Sequence, residues 1–144
     1  MNGYKERLLS NGDYISDQVG TYQPQDLAAL TTETGVEYTL ITIGGESHLI
    51  RGGERYTGIS NELYRKLLDG QGTLDCHSHP FIGDLVPSKE DRWFLGKLTW
   101  QKDSIIIDPT QRAARYTEYG VYETFDLNTP RDENYYDDMF EEKE

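Results

Sequence analysis

The stretch LDCHSHP, residues 74 to 80, sets the tightest constraint on how this chain folds. Its first residues are strand-like. Pro80 then stops the strand, because proline lacks an N–H and fixes its own φ. Just before the stop, two of the chain's three histidines stand two positions apart. In an extended chain residues two apart point to the same face, so the imidazoles of His77 and His79 converge, while Cys76 and Ser78 face the other way. Such a strand end is either a metal-binding edge or an ordinary polar terminus, and the residues around it decide which.

Upstream, VEYTLITI from Val36 is β-branched and aromatic, GGE is a tight turn, and SHLIRGG runs back as the partner strand, a hairpin pattern. ISNELYRKLLDG places Leu63, Leu67 and Leu68 at helical spacing behind a Ser60 or Asn61 cap and ends in Gly70. Downstream of the loop PFIGDLVP, SKEDRWFLGKLTW reads as a helix with Phe94, Leu95 and Leu98 on one side. SIIID reads as a buried strand, DPTQRA as a turn, and RYTEYG and VYETFDL as further strands. The order β-β-α-β-α-β-β implies an α+β or α/β-like single domain, a mixed sheet flanked by helices. Residues 1–33 read as an extended lead-in with one short helix at Pro24 to Leu30, residues 34–126 as the domain, and residues 127–144 as an acidic, disordered tail.

Nine positions after His79 comes Ser88, followed by Asp91. Locally, Ser88 with an acid three residues on is a helix start close to a capping box. The same spacing holds the Asp91 carboxylate on the first turn of a rigid helix, from which it can return to His77 and His79. Two neutral imidazoles and one carboxylate, with a fourth position left to water, form the ligand set of a catalytic zinc site.

His77-Ser78-His79-Pro80, a loop, then Ser88-Lys89-Glu90-Asp91 resembles the JAMM signature, HxHP followed by SxxD, of the JAB/MPN-type zinc metallopeptidases. From about Glu37 to Gly120 the order of elements is similar to that of the bacterial RadC-type branch, including the Pro-Ser pair before the helix. The resemblance implies a JAB architecture, cytidine-deaminase-like, and one Zn2+ held by His77, His79 and Asp91. It further implies an upstream glutamate that shuttles the proton of the attacking water. Glu37, at the start of the hairpin's first strand, is the best match by order along the chain; Glu33 and Glu46 are weaker ones. Ser88 becomes a donor to the tetrahedral oxyanion, Asp75 and Ser78 are either groups that orient the imidazoles or plain polar residues of the strand edge, and Asp84 is either a further ligand or a loop contact. The implied activity is hydrolysis of a peptide or isopeptide bond, deubiquitinase-like or processing, with the tail of a ubiquitin-like or carrier protein as substrate. The alternative is a catalytically inactive JAB-like interaction module.

Asp75-Cys76-His77-Ser78-His79 also matches DxHxH, which resembles the opening of amidohydrolase and PHP phosphoesterase barrels. Those need later histidines and far more chain, whereas 65 residues follow His79 and none is histidine. Cys76 beside His77 is not a thiol–base pair, since strand neighbours face opposite ways; it reads as a small core residue. His48 reads as surface or cross-strand packing, and Gly44-Gly45 and Gly52-Gly53 as turn and bulge positions. The formal charge of −12 disfavours nucleic acid and anionic membranes. In the segment 131–144 seven acids face two bases; a docking peptide built on Tyr135, Tyr136, Met139 and Phe140 is the functional alternative there. One cysteine and no apolar run of signal-peptide or membrane length make the cytoplasm the expected compartment.

Overall fold

Gly44 and Gly45 both adopt positive φ, 57° and 84°, the pair of values a two-residue turn needs to match the twist of its flanking strands. The turn folds Tyr38–Ile43 back onto Glu46–Arg51 with Ile43 opposite Glu46. The computed structural model describes residues 12–15, 22–53 and 58–127. Along these the elements are β1 (Gly12–Ile15), α1 (Pro24–Thr34), β2 (Tyr38–Ile43), β3 (Glu46–Arg51), α2 (Asn61–Leu68), β4 (Gly72–Ser78), α3 (Lys89–Lys97), β5 (Ser104–Ile107), β6 (Arg112–Thr117) and β7 (Gly120–Asp126).

The seven strands form one sheet in the order β1-β3-β2-β4-β5-β6-β7. Every neighbouring pair is antiparallel except β4 and β5, which run parallel with Cys76, His77 and Ser78 opposite Ile105, Ile106 and Ile107. The expected mixed sheet flanked by helices is therefore present, as a single α+β domain.

Side chains from neighbouring positions divide between two core clusters. Leu40, Leu49 and Ile107 pack with Leu27 and Leu30 of α1. Their neighbours Ile41, Ile50 and Ile106 pack with Leu63 and Leu67 of α2 and Leu95 of α3. Because alternate strand residues point to opposite faces, α1 covers one face and α2 with α3 the other. A sheet buried on both faces explains why its inner strands are apolar almost throughout.

The helices differ in extent from their sequence patterns. α1 runs four residues beyond the expected Leu30: the buried Thr31 donates to the Val36 carbonyl at 2.6 Å, and Thr32 and Thr34 satisfy their hydroxyls on the Ala28 and Leu30 carbonyls at 2.7 and 2.9 Å. Gly35, at φ 73°, ends it. With Leu27 and Leu30 fully buried, residues 24–34 belong to the core of the same domain, and β1 adds a strand within the expected lead-in. Ser60, not Asn61, caps α2 by accepting from the Leu63 N–H at 3.2 Å. Leu63 and Leu67 are buried, whereas Leu68, expected on that face, is 39% exposed. Leu95 of α3 is buried as its pattern requires, with Phe94 partly so, and Leu98 is buried just past the end of the helix, which stops at Lys97 short of the expected Trp100. The acidic tail beyond Leu127, with its aromatic residues, lies outside the described residues. Among the described residues no helix is long and apolar enough to cross a membrane.

At Gly72, where β4 begins beside Ile43, an added Cβ would lie 2.5 Å from Ile43 Cγ1 and 2.7 Å from the Thr42 carbonyl oxygen. The backbone oxygen has no room to yield. Gly72→Ala should therefore lower the unfolding free energy by about 1–3 kcal/mol, read as an earlier midpoint in denaturant titration; an unchanged midpoint would mean that β2 and β4 are less closely apposed.

Candidate metal centre

β4 is not a regular strand. Leu40 faces Cys76 across the ladder, but the next residue, Ile41, faces Leu74, so Asp75 is an extra residue, a bulge. The bulge reverses the alternation. Leu74 packs in the α2/α3 cluster, Cys76 in the α1 cluster, and His77 returns to the α2/α3 side, where its ring meets Tyr116 edge-on at 5.9 Å between centroids. Without it, Leu74 and His77 would lie on opposite faces.

Beyond Ser78, the His79 N–H donates to the Ile107 carbonyl at 2.9 Å, which extends the β4–β5 pairing by one residue and fixes the backbone at the second histidine. The chain then leaves through 81–87 to α3. There Ser88 Oγ accepts from the Asp91 N–H at 3.0 Å, and the Ser88 N–H donates to Asp91 Oδ2 at 2.9 Å. This reciprocal capping box aims the Asp91 carboxylate back at the strand end.

The three side chains converge. His77 Nε2 is 3.2 Å from His79 Nε2 and 3.2 Å from Asp91 Oδ2, and His79 Nε2 is 3.5 Å from the same oxygen. A tetrahedral zinc ion with ligand bonds of about 2.0–2.1 Å has ligand atoms about 3.3–3.4 Å apart. The edges of the observed triangle lie within about 0.2 Å of that spacing, and its donors, two imidazole nitrogens and a carboxylate oxygen, are zinc-type ligands. Among the described residues this is the group of acids, histidines and cysteine that could hold an ion.

The surroundings orient the triangle. His79 Nδ1 lies 3.0 Å from the Asp84 carbonyl oxygen and 3.3 Å from Asp84 Oδ2. Donation from Nδ1 leaves the lone pair of a neutral ring on Nε2, facing His77 and Asp91. Of the two readings of Asp84, ligand or loop contact, its place behind the His79 ring is that of a loop contact. Burial pulls the His79 pKa down, but the carboxylates of Asp91, Glu37 and Asp84 outweigh it and raise the value above that of an ordinary histidine. Burial likewise pushes Asp91 up, and the hydrogen bonds with His77 and His79, with the Ser88 N–H, reverse the shift and hold its carboxyl far below the usual range.

Glu37 is buried, and Glu37 Oε2 lies 3.9 Å from His79 Nε2. Its backbone is pinned on both sides, N–H to the Gly53 carbonyl and carbonyl to the Gly52 N–H, both at 2.8 Å. Glu33 is exposed on α1, and Glu46 sits at the opposite end of the hairpin. Ser88 is exposed and lines a cleft of about 740 Å³ together with His77, Asp91, Tyr64, Phe94 and Trp93. Of the two readings of Asp75 and Ser78, their bonds are those of strand-edge polar residues: Asp75 accepts from the Thr42 hydroxyl, and Ser78 Oγ accepts from the Tyr38 N–H at 3.0 Å. Both serve the β2–β4 junction. His48 is buried opposite Ile41 as cross-strand packing.

Asp108, in the turn expected at DPTQRA, is 1% exposed. Its Oδ1 accepts from the Thr110 N–H and hydroxyl and the Arg112 N–H, and its Oδ2 from the Gly83 N–H at 2.8 Å. Burial raises its pKa, but these donors more than compensate and leave it below the usual carboxylate value. The signal was Asp-Pro-Thr, an acid placed to bond the backbone two residues on.

Comparison of the chain with protein-family models, with curated proteins and with solved structures finds no match.

Cys76 stands beside the site in sequence and on the other face in space. It is fully buried, and burial, with the charges of Asp75 and Asp26, raises its thiol pKa well above the ordinary value. In the folded protein it should resist alkylation by iodoacetamide at pH 8 and react on unfolding; rapid labelling of the native chain would return the thiol to consideration.

Proposed function

We propose that this chain is a zinc-dependent metallopeptidase of the JAMM type, a JAB/MPN-like domain of cytidine-deaminase-like architecture that hydrolyses a peptide or isopeptide bond. The observation that carries the reading is the ligand triangle of His77, His79 and Asp91, with edges of 3.2, 3.2 and 3.5 Å, and the Glu37 carboxylate 3.9 Å from one corner.

A zinc ion held by those three residues supplies Lewis acidity and lowers the pKa of water toward about 7. The remaining work belongs to the chain. Glu37 takes the proton of the attacking water and delivers it to the departing amine, a role that suits a buried carboxylate on a pinned backbone. Ser88 Oγ accepts from the Asp91 N–H and keeps its own hydrogen to donate to the oxyanion of the tetrahedral intermediate. Asp84 holds the His79 ring in orientation. The cleft beside His77 and Asp91 receives the substrate on one side of the scissile bond.

The substrate is a protein or peptide, and the tail of a small ubiquitin-like or carrier protein fits the reading. A chain with a formal charge of −12 favours a basic tail. The low cysteine usage fits work in the cytoplasm.

Glu37→Gln keeps the size of the side chain and removes the base. Against a panel of peptides and carrier-protein tails its turnover should fall at least about 100-fold, with zinc content unchanged. Wild-type rates in that variant would remove Glu37 from the mechanism. A zinc-loaded wild-type chain that cleaves no member of the panel would favour the interaction-module reading.

A further inference from the structure

We infer that Asp108 is a positioning residue for the metal centre, acting on His79 through the loop 81–84; the inference rests on the metallopeptidase reading of that centre. The bonds form a continuous path. Asp108 follows Ile107, whose carbonyl accepts from the His79 N–H at 2.9 Å, and its own Oδ2 accepts from the Gly83 N–H at 2.8 Å. The residue after Gly83 is Asp84, and its carbonyl oxygen lies 3.0 Å from His79 Nδ1. One buried carboxylate therefore ties the strand end that carries His79 to the loop that sets the ring's tautomer.

The two oxygens of Asp108 divide the labour. Oδ1 is taken up by the β5–β6 turn, through Thr110 and Arg112. Oδ2 reaches across to Gly83, 25 residues away in sequence. Within the loop, the Asp84 N–H donates to the Phe81 carbonyl at 3.0 Å and the Leu85 N–H to that of Gly83 at 3.1 Å. These contacts shape the loop locally, while the Asp108 bond moors it to the sheet. Partners that orient a metal-ligating histidine from behind typically contribute 10- to 100-fold to metal affinity.

Asp108→Asn separates the two functions. An asparagine oxygen still serves the turn, but its NH2 cannot accept from the Gly83 N–H. Zinc affinity, measured by competition with a chromophoric chelator, should fall about 10- to 100-fold, and the visible bands of the cobalt(II)-substituted protein should shift as the His79 ring loses its fixed orientation. Thr110→Val cuts a bond on the turn side alone and should leave both readouts near wild type. Unchanged zinc affinity and cobalt spectrum in Asp108→Asn, in a background where the wild type binds zinc, would overturn this inference alone. An equal loss in Thr110→Val would overturn it too, by exposing general loosening. A wild-type chain that takes up neither metal would overturn the reading of the centre and this inference with it. If Asp108→Asn fails to fold, the wild type still decides: zinc should slow hydrogen exchange at the Gly83 amide at least tenfold, and no change would overturn the coupling.

Discussion

Parallel pairing of β4 with β5 is the constraint on which the rest depends. Two parallel neighbours cannot be joined by a tight turn; the chain has to leave the end of the first strand and cross back over the sheet to start the second. Here the crossing begins at Pro80, and α3 makes it. The route brings the first turn of α3 over the end of β4, which is how Asp91 comes within 3.2 Å of His77 although 14 residues separate them in sequence. The parallel ladder is also what places Ile107 to receive the His79 N–H and Asp108 to receive that of Gly83. Both histidine backbones are thereby tied to the central part of the sheet and not to a free loop.

A cluster of two imidazoles and a carboxylate beside an apolar core is costly unless each polar atom has a partner. The chain meets this cost with groups that the fold already requires. The capping box that starts α3 supplies the Ser88 N–H to Asp91. The loop after Pro80 supplies the Asp84 carbonyl to His79. The hairpin closes its open end through Gly52 and Gly53 on the backbone of Glu37, which holds that carboxylate next to the histidines. The features that terminate the secondary structure are also the ones that present the site.

Much of this was legible in the sequence, because the signals are local. Alternation two residues apart put both imidazoles on one face, and the Ser88 and Asp91 spacing marked a helix start that holds a carboxylate in place. The hairpin followed from Gly44-Gly45 between two β-branched runs. Other features depend on contacts distant in sequence. The bulge at Asp75 arises from the register of β4 against β2, and no residue type announces it. Asp75 and Ser78 carried the right chemistry at the right distance along the chain and yet serve the β2–β4 junction, since the bulge and the pairing aim them there. Asp108 looked like a turn former, and is one; its second bond reaches a loop that only the tertiary fold brings near. The length of α1 was hidden because threonines are weak helix formers by propensity, and the tertiary burial of Leu27, Leu30 and Thr31 overrides that preference.

If His77, His79 and Asp91 hold one ion together, as proposed, the metal content of the chain depends on each of them. Metal analysis of the purified protein beside His77→Ala and Asp91→Ala, each confirmed folded by circular dichroism, should find one zinc per chain in the wild type and none in either variant. Zinc that stays at one per chain through both substitutions would mean that these residues do not hold it.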